Sequence, residues 1–167
     1  MSLRRWLRHL WWDADDARRV LDEAALDRLQ QRVGASEALH TGELRVCIEA
    51  SLPWSYLWRR AAPRDRAITM FGKLRVWDTE HNNGVLIYLL LAEHAIEIVA
   101  DRAAARCVPP SQWAQLTAGM ATAFRAGQFE QGLGQAIDAV EALLIQHFPA
   151  SEGSEPRNEL PDRPYRG

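Results

Sequence analysis

The densest group of polar side chains that could do chemistry lies directly before the longest apolar run of the chain. The sequence DTEHNN occupies residues 78–83, and residues 85–92 are all apolar. Carboxylate and amide oxygens are the ligands that hard divalent cations such as Ca²⁺ and Mg²⁺ prefer, and an imidazole such as that of His81 can transfer a proton. The spacing differs from that of the EF-hand loop, so a dedicated calcium loop of that kind is excluded. What this group can bind depends on the residues that the fold brings beside it.

The apolar pattern around this group predicts an α/β fold. Leu44, Val46 and Ile48 alternate with polar residues, which indicates a strand. Residues 85–91 are apolar on both faces, as in a strand covered by helices, and residues 94–101 pair back on it. Apolar residues at helical spacing predict helices before, between and after these strands. The order α-β-α-β-β-α-α, with a right-handed parallel crossover, predicts a three-layer α/β/α sandwich with a small mixed sheet.

One turn signal competes with this assignment. The pair Asn83-Gly84 is typical of a tight hairpin, which would make residues 74–77 a strand. The apolar period from Ala67 to Leu74 is close to 3.6 residues, however, and favours a helix that ends near Val76. Residues 78–83 are therefore predicted to form a loop.

The predicted topology brings further polar residues to the same edge of the sheet. Two parallel strands begin at one edge, and the end of the third, antiparallel strand returns there. The sequence therefore predicts one oxygen-rich cluster and a candidate site for Ca²⁺ or Mg²⁺, formed by Glu43, Asp78, Glu80, Asn82, Asn83 and Asp101, with His40 and His81 nearby. The alternative is that each carboxylate is a solvated charge or a helix cap and that the asparagines only turn the chain.

The first twelve residues form a second candidate functional region. Arginines alternate there with large apolar residues at helical spacing: Leu3, Trp6, Leu7, Leu10 and Trp11. A short basic helix of this kind can lie on a membrane surface or dock on a partner. The favoured interpretation is that its tryptophans cover the protein's own core.

The chain divides into three parts on these patterns. Residues 1–22 are predicted to be an amphipathic basic segment followed by a polar linker. Residues 23–148 form the α/β/α domain, and residues 149–167 have no apolar period, which predicts a disordered tail.

Composition and motifs limit the classes of function. The net charge of −2 over 167 residues argues against nucleic-acid binding, and no apolar window is long enough to span a bilayer. The two cysteines lack CxxC spacing, and the first residues lack the pattern of a secretory signal, which together favour a cytoplasmic location. No local motif identifies a catalytic nucleophile, a phosphate-binding loop or a zinc protease site.

Taken together, these segments resemble the TPM domain family, which is typified by a thylakoid lumen phosphatase. The resemblance covers residues 26–148 and rests on four stretches in order: SEALHTGELRVCIEA, RAITMFGKLRVWDTEHNNGVLIYLLL, IEIVADRAAA and FRAGQFEQGLGQAIDAV. It implies a three-layer α/β/α fold. It also implies that the family's polar edge is formed here by Asp78, Asn82, Asn83, Gly84 and Asp101.

The resemblance implies two kinds of function. The favoured one is a non-catalytic module that binds a divalent cation or a protein, peripheral to a membrane, with a LemA-type membrane protein as partner. The alternative is a metal-dependent acid phosphatase acting on a phosphorylated small molecule, with a cation held by Asp78, Asp101 and Glu80. In that hydrolase His81 would assist proton transfer. Ala103 stands where similar proteins often have glycine, which disfavours close backbone approach to a phosphate.

Overall fold

A single mixed sheet organises the computed structural model, which describes residues 3–150 and 158–167. Its strands lie in the spatial order β3-β2-β1-β4, with β1 at Leu44–Glu49, β2 at Val85–Leu90, β3 at Ala95–Ala100 and β4 at Tyr165–Arg166. Strands β1 and β2 are parallel, with Leu44 opposite Val85. Strand β3 is antiparallel to β2. The parallel crossover and the hairpin that the sequence predicts are both confirmed.

Helices precede, connect and follow these strands. Their bounds are α1 Leu3–Trp11, α2 Ala14–Val20, α3 Glu23–Glu37, α4 Trp54–Trp58, α5 Pro63–Lys73, α6 Arg102–Cys107, α7 Pro110–Arg125 and α8 Phe129–His147. A 3₁₀ turn at Leu91–Glu93 joins β2 to β3. The loop predicted at residues 78–83 is present, because α5 ends at Lys73 and the described residues 74–84 contain no strand before β2 begins at Val85.

Both faces of the sheet are covered by helices, which gives three layers. Side chains of a strand alternate between its two faces, and in β2 both sets are fully buried. One set packs on the layer that contains α3 and α8, namely Val85, Ile87 and Leu89. The other set packs on the layer that contains α5, namely Leu86, Tyr88 and Leu90. The α/β/α sandwich predicted from the sequence is confirmed, and burial on both faces explains why residues 85–91 contain no polar alternation.

The acidic run after α1 forms a helix, where the sequence suggested a polar linker. The Asp13 carboxylate accepts the backbone N–H groups of Asp15 and Asp16, and the Asp16 carboxylate accepts the N–H of Asp13. This reciprocal pair is a capping box, which satisfies backbone donors at the start of α2. Ala17 and Leu21 are completely buried against the sheet. The linker prediction was wrong because cap residues and linker residues have the same polar composition.

The last ten residues pack on the sheet, where the sequence predicted disorder through residue 167. Strand β4 pairs with β1, with Cys47 opposite Tyr165. The Arg45 guanidinium donates to the carbonyl oxygens of Pro161 and Arg163. Because these contacts join backbone groups to one distant arginine, they leave no apolar period in the tail. Residues 151–157 of the predicted tail lie outside the described residues.

Candidate functional site

The polar loop is held against the junction between β3 and α6 by backbone hydrogen bonds. Asp101 N donates to the carbonyl oxygen of Gly84 at 2.8 Å, and Ala103 N donates to that of Asn82 at 2.9 Å. Asn82 has a φ of +52° and donates its own N–H to the Thr79 carbonyl oxygen at 3.2 Å. The left-handed conformation of Asn82 tightens this turn. Asparagine adopts that conformation more readily than most other residues. Residues 79–84 and 101–103 therefore form one local unit, at the edge where β1 and β2 begin; we call this edge the amino edge.

Gly84 allows the loop to approach the end of the preceding helical segment. A Cβ atom at this position would lie 2.1 Å from the carbonyl oxygen of Val76. Real Cβ atoms do not come so close to backbone oxygen, so any side chain here would move the two segments apart. The glycine in Asn-Asn-Gly is required by this close approach.

Asp101 has a buried carboxylate oxygen whose hydrogen-bonding capacity is unused. The residue is 5% exposed, and its Oδ1 accepts the N–H of Arg102 at 2.7 Å, which caps α6. Its Oδ2 and the hydroxyl of Thr79 are both buried and have no hydrogen-bond partner within the described part of the chain. A buried polar atom without a partner costs on the order of 1–3 kcal/mol. A water molecule or a hydrated cation would remove that cost.

Arg102 lies on the solvent-exposed side of this unit. Its guanidinium donates to Asn82 Oδ1 at 3.3 Å, and its Nε lies 3.9 Å from Asp101 Oδ1. The side chain is 75% exposed. An anion that reached this edge from solvent would therefore meet a guanidinium first.

Three residues of the predicted site lie on the solvent side of the loop. Asp78 is exposed and forms an ion pair with Arg75 at 3.0 Å. Glu80 and His81 are also exposed. The backbone N–H of Glu80 donates to the Glu159 carboxylate at 3.1 Å. These three side chains are therefore exposed to solvent, whereas the Oδ2 atom of Asp101 is buried.

Glu43 is buried beside β1, with β2 between it and Asp101, and Asn83 is buried in the loop before β2. The Glu43 carboxylate accepts the backbone N–H of Leu160 at 3.1 Å, and burial raises its pKa. Asn83 donates its amide to the Thr41 carbonyl oxygen at 2.9 Å. Glu43 precedes β1 and Asp101 follows β3, so they are separated by two strand spacings, about 10 Å. The single cluster predicted from the sequence is thus divided into two groups.

The group around Glu43 contains a carboxylate that sequence reasoning missed. Glu37 accepts the Leu44 N–H at 2.9 Å. Burial, and to a smaller extent the nearby carboxylates of Glu43 and Asp162, raises the pKa of Glu37 to about 8 despite that bond. Its position eleven residues after Leu26 continues the apolar stripe of α3, which is the signal that could have identified it. The contribution of Asp162 depends on the tail, which has no such signal.

His40, predicted to lie near the site, is buried instead beside α3. Its Nε2 lies 3.0 Å from the Ser36 hydroxyl, and burial lowers its pKa. It is therefore held as part of the helix packing.

The described residues limit the kinds of cation site that this edge could form. Within residues 3–150 and 158–167, no three His, Cys, Asp or Glu side chains lie close enough to hold a metal ion. A site at Asp101 would contain one carboxylate, and neutral oxygens or water would complete it. Mg²⁺ is commonly held this way, with one or two carboxylates and several retained waters, whereas zinc requires more His or Cys ligands.

The opposite edge, where β1 and β2 end, is closed by α1; we call it the carboxyl edge. Arg5 Nε donates to Glu93 Oε1 at 2.7 Å, and His9 Nε2 lies 2.8 Å from the same oxygen. His9 Nδ1 accepts the Leu52 N–H at 3.1 Å, so the ring donates its Nε2 proton to Glu93. Burial alone would raise the pKa of Glu93, but the bonds from His9 and Arg5 lower it below its ordinary value. The inner face of α1 is therefore fixed to the sheet.

A buried ion pair lies below this edge. Glu49, the last residue of β1, receives two hydrogen bonds from Arg66, and the Tyr88 hydroxyl donates to it at 2.8 Å. All three side chains are buried. Their polar atoms are mutually satisfied, in contrast to those at the amino edge.

Comparison with known proteins identifies the class to which this fold and its polar edge belong. A family model described as the TPM domain matches residues 14–143, so the chain belongs to the TPM domain family and the sequence resemblance is confirmed. The match includes α2, which the sequence had placed outside the domain. No curated protein matches the chain significantly.

A solved structure supports the same assignment. The NMR structure of BA42 protein from the psychrophilic bacterium Bizionia argentinensis sp. nov. is 25% identical and superimposes with a TM-score of 0.76. The alignment covers 88% of this chain and 95% of that one. The fold described above is therefore similar to that protein over nearly its whole length.

Proposed function

We propose that this TPM domain is a non-catalytic binding module whose amino edge holds one hydrated divalent cation, Mg²⁺ or Ca²⁺, at Asp101. The observation that carries the proposal is the buried Oδ2 of Asp101, which has no hydrogen-bond partner in the described residues. A cation would compensate the buried carboxylate, which otherwise lacks a full set of partners.

The surrounding atoms support a weak, hydrated site. Thr79 belongs to the loop that is hydrogen-bonded to Asp101 through Gly84, and its hydroxyl, which has no partner within the described residues, is the candidate neutral ligand. The remaining ligands would be water and backbone oxygens. Sites with few charged ligands bind Ca²⁺ with dissociation constants of about 10⁻⁴–10⁻³ M. We therefore expect affinity in that range.

Calorimetric titration of metal-free protein with Mg²⁺, Ca²⁺ and Mn²⁺ tests the proposal. Saturable heat is expected for the wild type and none for Asp101→Asn, since asparagine keeps a capping oxygen but lacks the negative charge. Asp22→Asn is the matched control. Asp22 also caps a helix, because its carboxylate accepts the Ala25 N–H at 2.8 Å, but it is not part of the proposed cation site. The control should bind like the wild type. An absence of heat with every cation would overturn the proposed cation site at Asp101.

The phosphatase implied by the resemblance would use the same edge. The exposed guanidinium of Arg102 beside Asp101 is the observation that favours it, because arginine binds phosphate oxygens well. Hydrolysis of p-nitrophenyl phosphate by the metal-loaded protein, lost in Arg102→Ala, would establish this activity. If the protein binds a cation saturably but does not hydrolyse this substrate, the result supports the binding module over the phosphatase.

A further inference from the structure

The outer side of the carboxyl edge carries an exposed surface of tryptophans, leucines and arginines. Trp11 is 81% exposed and Trp58 is 79% exposed, although tryptophan has a large apolar side chain. This tryptophan surface consists of Leu7, Leu10 and Trp11 from α1, Trp54 and Trp58 from α4, and the exposed arginines Arg8, Arg59 and Arg60. Exposed apolar patches of this kind mark interaction sites.

The two helices that form the surface are in contact. The Trp6 and Trp54 rings pack with centroids 4.4 Å apart. Leu10 and Trp54 line the same cleft of about 310 Å³, and Arg5 donates to the Ala61 carbonyl oxygen at 2.7 Å. Because α1 is fixed through its inner face, its outer residues project from a rigid support.

The charge of this region differs from that of the whole protein. Residues 1–12 and 50–64 contain no Asp or Glu, whereas the net charge of the chain is −2. Of their arginines, Arg8, Arg59 and Arg60 are exposed on this surface, while Arg5 and Arg64 pair with Glu93 and Glu97. The facing carboxylate of Glu93 is already paired with Arg5 and His9. Asp15 and Asp16 pair with Arg18 and Arg19, and Asp65 is an acidic group beside Arg59 and Arg60. The outer surface is therefore locally cationic.

We propose that the tryptophan surface binds the face of a bilayer that contains anionic lipid. Tryptophan rings partition to the headgroup level, and arginines beside them are attracted to anionic headgroups. Within the described residues, no helix is long and apolar enough to cross a membrane. Helix α1, with nine residues, would instead lie along the interface with its outer side chains inserted. This surface is at the opposite edge from Asp101, so the inference stands independently of the cation site.

Sedimentation of the full chain with vesicles tests this inference. Binding is expected to vesicles of equal parts phosphatidylcholine and phosphatidylglycerol, and little to phosphatidylcholine alone. Trp11→Ala and Trp58→Ala should each weaken binding about tenfold, because each ring loses its burial in the interface. Both side chains are mostly exposed, so circular dichroism should show an unchanged fold. Trp77→Ala is the control, since Trp77 is 46% exposed but precedes the loop at the amino edge.

The charge contribution has its own matched pair. Arg8→Gln should weaken binding to the anionic vesicles about fivefold, whereas Arg106→Gln, an exposed arginine on α6, should have no effect. Equal losses in the control variants would overturn the inference, as would equal binding to neutral vesicles or no vesicle binding. A dimer in solution that Trp11→Ala and Trp58→Ala dissociate, without vesicle binding, would show that the surface instead binds a second copy of the chain.

Discussion

The two ends of the parallel strands β1 and β2 are closed in different ways. At the carboxyl edge, Glu49, Arg66 and Tyr88 satisfy one another's polar groups inside the protein. Exposed apolar side chains lie outside this edge, on the tryptophan surface. At the amino edge the reverse holds, because one polar atom each of Asp101 and Thr79 is buried and has no hydrogen-bond partner among the described residues. The comparison indicates a small polar ligand for one edge and a broad apolar and anionic surface for the other.

The largest effect on stability is expected at the carboxyl edge, where the buried polar groups bind one another. Glu49→Gln leaves the Arg66 guanidinium buried without its charge partner, which should lower the free energy of unfolding by about 3–5 kcal/mol. Urea unfolding measures this. Asp138→Asn is the surface counterpart, because its pair with Arg32 is about half exposed, and it should cost about 0–1 kcal/mol. Equal costs would contradict the assignment of Glu49 as a buried structural centre.

A smaller effect is expected from crowding the amino edge. Gly84→Ala places a Cβ against the Val76 carbonyl oxygen and should destabilise the protein by about 1–3 kcal/mol. Gly119→Ala is the matched control in α7, where the described residues outside the local helix backbone place no atom within 4 Å of an added Cβ. That change should stabilise the protein by about 0.5–1 kcal/mol, because alanine favours a helix over glycine. Both values can be read from thermal unfolding.

The attachment of α1 should contribute less than the buried ion pair. Glu93→Gln removes the charge that Arg5 and His9 share and should cost about 1–2 kcal/mol in urea unfolding. The same variant should bind anionic vesicles more weakly, because α1 is then held less firmly. Unchanged stability would mean that the apolar contacts of α1 alone attach it.

Stability should also depend on pH through a carboxyl group at the amino edge. The pKa of Glu37 is about 8 in the folded protein against 4.5 ordinarily, so the folded state retains a proton that the unfolded state loses. The stabilisation of the folded state by this proton is complete below about pH 4.5 and is lost as the pH rises toward 8. The slope is at most about 1.4 kcal/mol per pH unit. Glu37→Gln should remove this slope in unfolding measurements at pH 5, 6.5 and 8. The same slope in both proteins would assign the proton to another group.

Periodic apolar patterns predicted the sheet and thereby placed Asp101 correctly at the amino edge. Alternation in β1 and the continuous run in β2 determine both the pairing and the layers. The patterns failed where contacts are made by single polar side chains. The tail is held by Arg45, which gives residues 158–167 no period. The predicted cluster was divided because β2 lies between Glu43 and Asp101. Apolar patterns show which residues lie at the end of a strand, but they do not show how far apart the ends of different strands are.

Titration of ¹⁵N-labelled protein with Mg²⁺, followed by amide chemical shifts, tests the central claim most directly. The account predicts saturable shifts confined to residues 79–84 and 101–103, which are joined by backbone hydrogen bonds. It predicts none at Glu37, Glu43 or Leu160, in the other acidic group. Shifts centred on that second group, or an absence of saturable shifts, would contradict a cation site at Asp101.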